Sequence, residues 1–223
     1  MKSDKEGALL PAACLFDLDG VLVDTARYHY LAWKRLAAEL GIGFSREDNE
    51  QLKGVSRIRS LELIMEWGGI TRSAPEMEEL AARKNGWYLD MISTMTPEEL
   101  LPGALDFIGA VRQAGIRVAL GSASKNSAII LEKTGIAPYF DAIVDGSTVS
   151  ASKPDPEVFL TGARMLGVSP GDCVVFEDAV AGIGAARAAG MKVIGVGSPE
   201  ILKDADLVIS GLHEMSTDRL KEL

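Results

Sequence analysis

The stretch Phe16-Asp17-Leu18-Asp19-Gly20 decides how the rest of the sequence is interpreted. It follows the apolar run 12–16 and joins two carboxylates to a glycine, which is typical of a buried strand that ends in a charged turn. Residues two apart on a strand point to the same face, so Asp17 and Asp19 would repel each other. A hard cation such as Mg²⁺, which prefers oxygen ligands, would relieve this repulsion. The stretch therefore predicts a metal site at a strand end, and an ordinary Asp-Gly turn is the alternative.

The composition is that of a globular protein large enough to bury a substantial core. The chain has 223 residues, and its 47% hydrophobic and 25% charged residues are ordinary for this class. The formal net charge of −9 argues against general binding of nucleic acid or of an anionic membrane. The polar N-terminal residues and the lack of a sufficiently long apolar run predict a cytoplasmic protein. Cys14 and Cys173 are expected to be reduced core thiols.

Strand and helix patterns alternate along most of the chain. Apolar strands are predicted near residues 117–122, 142–145, 173–176, 192–196 and 206–209, with helices between them that end at glycines. This alternation predicts an α/β fold with a doubly wound, Rossmann-like parallel sheet and helices on both faces. Only helical patterns occur in 25–95. We therefore predict a catalytic core formed by residues 1–24 and 96–223, and an inserted all-helical cap domain at 25–95.

The helical patterns also predict which side chains share a face. Thr25, His29 and Trp33 are spaced by four residues and lie on one side of a helix, where core packing of His29 and Trp33 is the alternative to a role in binding. The last cap helix is predicted from about Pro75 to Ser93. Its inward-facing residues are expected to be Leu80, Ala81, Trp87, Leu89 and Ile92. A final helix of the chain is predicted from about His213.

Polar side chains collect at the ends of the predicted strands, where ligands bind in an open α/β sheet. The residues at these ends are Asp17, Asp19, Ser122, Asp145, Glu177 and Asp178, and Lys153 lies in the loop that leaves the third strand. Carboxylates suit a divalent cation, whereas a serine and a lysine suit a phosphate group. Together these residues predict a site for a divalent cation and a phosphate.

These motifs, in this order, resemble the haloacid dehalogenase superfamily. The resemblance is carried by Asp17-x-Asp19-Gly20 with Asp24-Thr25, by Ser122, by Lys153-Pro154, and by Glu177-Asp178 before Gly182-Ile183. It implies that Asp17 is the nucleophile that forms an aspartyl-phosphate and that Asp19 is the general acid and base. It also implies Mg²⁺ held by Asp17, the backbone carbonyl of Asp19, Glu177 and Asp178. Ser122 and Lys153 would bind the transferring phosphoryl oxygens.

The helical insertion matches the subgroup with a small helical cap, and the cap residues resemble those of the glucose-phosphate mutases in it. The resemblance implies interconversion of β-D-glucose 1-phosphate and D-glucose 6-phosphate through β-glucose 1,6-bisphosphate, which also serves as primer. It assigns substrate binding to His29, Trp33, Lys53, Gly54, Val55, Ser56, Arg57, Ser60, Lys84, Ser122, Ala123, Ser124, Lys125 and Asn126. Arg57 is expected to hold the non-reacting phosphate with Ser124 and Asn126. For Lys53, Arg57 and Lys84 the alternative is a solvated cap surface.

Two enzyme activities are compatible with this core. In a phosphatase of small phosphorylated sugars, water attacks phospho-Asp17, whereas a mutase must exclude water until the bisphosphate has reoriented. The core motifs do not separate the two, but the cap set from Lys53 to Arg57 with Lys84 favours the mutase. A non-catalytic regulator would be expected to lack Asp17 or Asp19. The resemblance further implies a monomer.

Overall fold

A computed structural model describes residues 9–223, and a six-stranded sheet forms its centre. The strands are β1 (Ala13–Phe16), β2 (Arg117–Gly121), β3 (Ala142–Val144), β4 (Cys173–Glu177), β5 (Lys192–Val196) and β6 (Leu207–Ile209). Every neighbouring pair is parallel, and the order is β3-β2-β1-β4-β5-β6. The predicted doubly wound parallel sheet is confirmed. The predicted core segment 1–24 includes residues 1–8, which lie outside the described residues.

Alternating side chains of β1 fill both faces of the sheet. Cys14 and Phe16 enter one apolar cluster, and Ala13 and Leu15 enter the other. The first face is covered by α5 (Ala104–Gln113) and α6 (Ser127–Thr134), and the second by α7 (Glu157–Leu166) and α8 (Val180–Ala188). Burial of one large apolar side chain stabilises the fold by about 1.5–3 kcal/mol. The central strand β1 is therefore held firmly from both sides, and β1 and its neighbour β4 each carry a free, buried thiol.

Three phenylalanines support the strand ends next to the charged turns. The rings of Phe16 and Phe176 stack with centroids 4.7 Å apart, and Phe107 of α5 meets both rings edge-on at 6.1 and 5.3 Å. Such pairs contribute about 0.5–1.5 kcal/mol beyond their area burial. Because Asp17 and Glu177 directly follow Phe16 and Phe176, the aromatic cluster fixes the backbone that presents these two carboxylates.

Four helices form the insertion between β1 and α5: α1 (Ala26–Glu39), α2 (Arg46–Glu50), α3 (Arg57–Gly68) and α4 (Ala74–Ile92). Residues 25–95 contain no strand, as the sequence predicted. The insertion has an apolar cluster of its own, which includes Leu36, Leu61 and Ile64. The division of the chain at 24/25 and 95/96 into two domains remains a prediction.

The two connections between the insertion and the sheet layer lie side by side. The Leu101 N–H donates to the Leu22 carbonyl at 2.9 Å. From α1, Arg27 and Tyr28 both donate to the carboxylate of Glu99 in the second connection, at 2.6 and 2.8 Å. The segment that enters the cap and the segment that leaves it are therefore joined by hydrogen bonds beyond the C-terminal end of β1.

Helix α4 buries a different set of side chains from the predicted one. Three of the five predicted residues are buried, but Trp87 and Leu89 are only partly buried, and Lys84 and Tyr88 are buried instead. Positions 81, 84, 88 and 92 lie three or four residues apart, which is the spacing of one helix face. A lysine within that face hides the pattern in the sequence.

The predicted helix from about His213 is wrong. The chain forms two short 3₁₀ turns there, Leu212–Glu214 and Arg219–Glu222. Leu212 and Leu220 pack against the core, but the polar residues between them provide no apolar helical face that a longer helix could bury. None of the helices formed by residues 9–223 has the length and apolar character needed to cross a bilayer.

Candidate active site

A cleft of about 510 Å³ lies between the cap helices and the C-terminal ends of the central strands. All the predicted site residues line it except Ser122 and Glu177, which are themselves buried. Asp145, which also ends a strand, is not part of the cleft lining. Its carboxylate instead accepts hydrogen bonds from Ser127, Ser147 and Thr148 and holds its own loop in place. The fold therefore gathers nearly all the predicted residues in one place.

Lys153 joins two of the core carboxylates. Its Nζ atom lies 2.5 Å from Asp17 Oδ1 and 2.6 Å from Glu177 Oε1, and its side chain is fully buried. Burial alone lowers the pKa of Lys153, but the two carboxylates outweigh this and raise it, so the ammonium group stays charged. Burial raises the pKa of Asp17 well above its ordinary value, Lys153 opposes the rise, and the neighbouring carboxylates add to it. The cluster thus holds more negative charge than one lysine neutralises.

The carboxylates of this cluster are oxygen ligands of the kind that a divalent cation prefers. Burial and the charge of Glu177 raise the pKa of Asp178 to about 7, which shows that its carboxylate lacks full compensation. No backbone N–H of residues 9–223 donates to the carbonyl oxygen of Asp19. Within the same residues, no three or more His, Cys, Asp or Glu side chains are arranged to enclose a metal alone. Mg²⁺ usually takes one or two carboxylates and completes its coordination with water and phosphate oxygens.

Gly20 allows the charged turn to lie against Asp178. Its φ angle is +86°, a conformation that glycine adopts readily and other residues do not. A Cβ atom at this position would also collide with the Asp178 carboxylate. Gly41, at the end of α1, has a similar φ of +73° but nothing within 4 Å of the place where a Cβ would lie. Gly20 is therefore required by the backbone and by the approach of Asp178 together.

Asp19 is paired with Thr25 at the start of α1. The Thr25 hydroxyl donates to Asp19 Oδ1, and the Asp19 N–H donates to Asp17 Oδ2 at 2.9 Å. Thr25 is the N-cap residue of α1 but makes no side-chain capping bond, although such a bond typically stabilises a helix by about 1 kcal/mol. Burial raises the pKa of Asp19, against the opposing effect of the Thr25 hydrogen bond. A carboxyl group with a raised pKa is better suited to donate a proton than an ordinary aspartate.

Lys84 and His29 form a polar pair on the cap side of the cleft. Lys84 is 1% exposed, its Nζ lies 3.0 Å from His29 Nδ1, and the Trp33 and Tyr88 ring centroids lie 4.5 and 4.7 Å from it. Desolvation and the positive charge of Lys84 lower the pKa of His29 well below its ordinary value. Desolvation and the charge of Arg57 lower the pKa of Lys84 to about 7. When Lys84 is protonated it can only donate, so Nδ1 is then the acceptor and the imidazole proton lies on Nε2.

Arg57 is the first residue of α3 and reaches the cleft without an acidic partner among residues 9–223. Partial burial lowers its pKa, but a guanidinium group stays protonated in proteins. Arg59, two residues further along the helix, is exposed and pairs with Glu62 and Glu66 at 2.9 and 3.0 Å. The cleft therefore contains an uncompensated cation that is suited to bind an anion.

The loop after β2 forms a further polar wall. The Ser124 N–H donates to Ser122 Oγ at 3.0 Å, and the Asn126 N–H donates to Ser124 Oγ at 3.1 Å. Asn126 Nδ2 also donates to Oδ1 of Asn85 on α4, at 2.9 Å. Lys125 is exposed beside them and lines the cleft. The Asn85–Asn126 bond links the cap to the core within the cleft.

A second link between cap and core is made by Lys53. Its Nζ lies 3.1 Å from Asp178 Oδ2 and 2.9 Å from Glu50 Oε2. Gly54, Val55 and Ser56 continue the cleft wall from this lysine to Arg57. The cap thus supplies positively charged groups to both ends of the site, one at a core carboxylate and one in the open cleft.

The comparisons with known proteins agree with this architecture. The family model of haloacid dehalogenase-like hydrolases matches residues 11–190, and the chain belongs to this family. It is 46% identical over 212 residues to β-phosphoglucomutase from Bacillus subtilis, with 94% of each chain covered. The crystal structure of β-phosphoglucomutase from Clostridium difficile superposes with a TM-score of 0.92 at 40% identity and covers 96% of both chains. A fructose-1-phosphate phosphatase from Escherichia coli is 33% identical over 186 residues, 83% of this chain and 96% of that protein.

Proposed function

We propose that the chain is a phosphotransferase that interconverts β-D-glucose 1-phosphate and D-glucose 6-phosphate through an aspartyl-phosphate and β-glucose 1,6-bisphosphate. The observation that carries the proposal is the presence in one cleft of a buried lysine beside the candidate nucleophile and of a separate cap arginine. Lys153 lies beside the carboxylate of Asp17, and Arg57, which also lines the cleft, has no acidic partner among residues 9–223. A bisphosphate needs two anion sites, whereas a monophosphate needs one. The similarity to the two β-phosphoglucomutases supports the same reaction.

In the proposed reaction Asp17 is the nucleophile. A bond forms between its carboxylate oxygen and phosphorus as the bond from phosphorus to the sugar oxygen breaks, and Asp19 gives its proton to that oxygen. In the return step Asp19 takes the proton from the other sugar hydroxyl, whose oxygen attacks phospho-Asp17. The bond between phosphorus and the Asp17 oxygen breaks, and the Asp17 carboxylate is regenerated. Ser122 and Lys153 are proposed to stabilise the charge on the transferring phosphoryl oxygens.

We propose Mg²⁺ as the metal, held by Asp17, Glu177, Asp178 and the carbonyl of Asp19. When bound, the ion supplies positive charge that offsets the carboxylates and the phosphoryl oxygens. The raised pKa values of Asp17 and Asp178, which come first from burial and then from the neighbouring carboxylates, support this assignment because a bound cation would stabilise both carboxylates.

The remaining cleft residues are proposed to bind the sugar and its second phosphate. Arg57 would hold this phosphate together with Ser124 and Asn126, with Lys125 nearby. The proposed sugar contacts come from His29, Trp33, Lys53, Ser60 and Lys84, and the wall residues are Gly54, Val55, Ser56 and Ala123. His29 would offer its Nε2–H to a sugar hydroxyl, because Lys84 occupies Nδ1. We further propose a cap domain at 25–95 and a core of 1–24 and 96–223, and a monomer that acts in the cytoplasm.

A Mg²⁺-dependent phosphatase of small phosphorylated sugars is the second candidate, and the 33% identity to a fructose-1-phosphate phosphatase favours it. The test is a coupled assay with β-glucose 1-phosphate, Mg²⁺ and a trace of the bisphosphate, in which glucose 6-phosphate and free phosphate are both measured. We expect glucose 6-phosphate to form far faster than phosphate is released. Release of phosphate as the main product would contradict the mutase proposal. Asp17→Asn should abolish turnover of either kind.

The second phosphate site is tested with a matched pair of arginines on α3. Loss of a charged hydrogen-bonding group in a binding site typically costs about 1.5–3 kcal/mol, or roughly 10- to 150-fold. Arg57→Ala should therefore reduce mutase flux by about this factor and hydrolysis of a simple aryl phosphate much less, because that substrate has no second phosphate. Arg59→Ala, which removes only the surface pairs with Glu62 and Glu66, should leave both activities unchanged. Equal losses of the two activities in Arg57→Ala would argue that Arg57 is structural.

A further inference from the structure

The hydroxyl of Tyr88 is the one buried side-chain polar atom in residues 9–223 that lacks a hydrogen-bond partner. The side chain is completely buried and lies in the C-terminal half of α4. An unpaired buried hydroxyl destabilises a folded protein, and nearly all such groups in proteins are paired. Phenylalanine would fill the same space without this cost. The hydroxyl therefore needs an explanation other than packing.

Groups of the candidate active site pack against the Tyr88 ring. The Tyr88 ring lies 4.2 Å from the His29 ring, and the Lys84 Nζ lies 4.7 Å from its centroid. Burial raises the pKa of Tyr88 well above its ordinary value, the charge of Asp19 raises it further, and the Thr25 hydroxyl opposes the rise. The His29 N–H donates to the Thr25 carbonyl at 3.0 Å, so Thr25 lies one helical turn before the residue against which the Tyr88 ring packs. The Tyr88 hydroxyl nevertheless makes no hydrogen bond with Thr25 or Asp19.

The oxygen of Thr25 is the natural acceptor for Tyr88. Thr25 gives its own proton to Asp19 Oδ1, so its oxygen keeps lone pairs that can accept a hydrogen bond. Thr25 is fully buried, and its side chain makes no capping bond with α1. A hydrogen bond from the Tyr88 hydroxyl to this oxygen would therefore complete a chain of hydrogen bonds from Tyr88 through Thr25 to Asp19.

We propose that Tyr88 is a positioning residue for proton transfer: its hydroxyl donates to Thr25, and Thr25 holds the Asp19 carboxylate in line with the sugar oxygen. The proposal rests on the proposed function only in giving Asp19 the acid–base role. Tyr88 is not among the residues that line the cleft, so it acts through Thr25 and does not touch substrate. With Oδ1 fixed by Thr25, the second carboxylate oxygen of Asp19 remains free to face the sugar.

Tyr88→Phe separates this role from a structural one. The substitution removes an unpaired hydroxyl and keeps the ring, so the melting temperature should stay the same or rise. The rate of phosphoryl transfer from the bisphosphate to Asp17 should nevertheless fall about 10-fold, a part of the 10²–10⁴-fold that a positioned acid or base contributes. A tyrosine that served packing alone would give no loss of rate.

The decisive measurement compares leaving groups in single-turnover phosphorylation of Asp17 in the presence of Mg²⁺. A sugar alkoxide needs a proton from Asp19 to leave, whereas p-nitrophenolate leaves with little help. We expect Tyr88→Phe to lose about 10-fold with β-glucose 1,6-bisphosphate and less than about 3-fold with p-nitrophenyl phosphate. Tyr139→Phe, which removes a phenolic hydroxyl outside the cleft, should behave as wild type with both. Equal losses with the two substrates, or no loss with either, would overturn the proposal.

Thr25→Val provides a second, independent variant. It keeps the shape of the side chain but cannot accept from Tyr88, so it should show the same preference for the aryl substrate, and the double variant should lose no more than Thr25→Val alone. Additive losses would show that the two hydroxyls act separately and would also overturn the proposal. Product analysis of the wild type tests the proposed function on its own. If the wild type releases phosphate from a sugar phosphate, the leaving-group comparison is made with that sugar phosphate and still decides the role of Tyr88.

Discussion

Lys153→Met should destabilise the metal-free protein by about 3–4 kcal/mol, because it leaves two buried carboxylates without their cation. The Lys153 ammonium group is completely buried and lies within 2.6 Å of both Asp17 and Glu177. Methionine fills nearly the same space but has no charge and no donor. Removal of one partner from a buried ion pair generally costs about 3–5 kcal/mol.

Protonation of a carboxyl group limits the size of this loss. The ordinary pKa of Asp17 is 3.8, and each pKa unit is worth about 1.36 kcal/mol, so protonating such a group at pH 7 costs about 4 kcal/mol. If two charged carboxylates in Lys153→Met destabilised the folded protein by more than this, one of the two carboxyl groups would bind a proton instead. The upper limit of the expected loss is therefore set by the carboxyl itself and not by the strength of the ion pair.

The assay is urea unfolding at pH 7 with a chelator present, with Lys192→Met as the control. The Lys192 side chain is 52% exposed and lies 3.7 Å from Asp206, and such exposed pairs contribute about 0–1 kcal/mol. Added Mg²⁺ should recover part of the stability of Lys153→Met, since a divalent cation at this cluster replaces the missing charge. A loss below about 1 kcal/mol, or one no larger than that of the control, would refute the account of the buried charges.

Three further predictions follow from other parts of the cleft. Because burial lowers the pKa of Lys84 from 10.5 to about 7, the unfolded chain binds more protons than the folded protein between these pH values, and stability should rise with pH there. Lys84→Met should reduce this slope by up to about 1.4 kcal/mol per pH unit in urea unfolding at pH 7, 8 and 9; equal slopes would contradict the assignment. Asn85→Ala should weaken bisphosphate binding, measured by calorimetry, by about 0.5–1.5 kcal/mol. If Asn85→Ala weakens binding just as much in a protein that already carries Asn126→Ala, the hydrogen bond between the two residues does not contribute to binding. Gly20→Ala and Gly41→Ala should both be destabilised by about 1 kcal/mol or more, but only Gly20→Ala should also bind Mg²⁺ more weakly; equal affinities would count against the close approach of Asp178.

The sheet and the cap helices could be predicted because hydrophobic periodicity dominates both. The strands are apolar throughout, and the two faces of β1 are both buried, as expected for a parallel sheet between helices. The buried face of α4 was harder to predict because it includes Lys84, and lysine side chains are usually exposed to solvent. The helix predicted from about His213 was wrong because Leu212 and Leu220 anchor this segment to the core without forming a continuous helical face.

The residues at the strand ends could be recognised because parallel strands bring their carboxyl ends to one edge. Their partners could not, because these come from distant parts of the chain. Asn85 lies 41 residues from Asn126, and Lys84 lies 55 residues from His29. Tyr88 gives no polar signal in the sequence at all, since an aromatic residue on a helix face is usually core packing. Only the three-dimensional structure shows that its hydroxyl lacks a hydrogen-bond partner.

The distribution of charge explains why the core motifs indicate phosphoryl transfer through Asp17, whereas only the cap indicates whether a sugar or water accepts the phosphoryl group. The core holds the nucleophile and an excess of carboxylates around a single buried lysine, which suffices for attack on a phosphate by Asp17. The cations that have no counterpart in the core, Arg57 and Lys84, belong to the cap. Water can attack phospho-Asp17 without help from these cap cations. A sugar phosphate, in contrast, must be bound through its non-reacting phosphate and its hydroxyls before it can attack. Loss of cap cations should therefore shift the partition from sugar towards water, while loss of core carboxylates should stop both reactions.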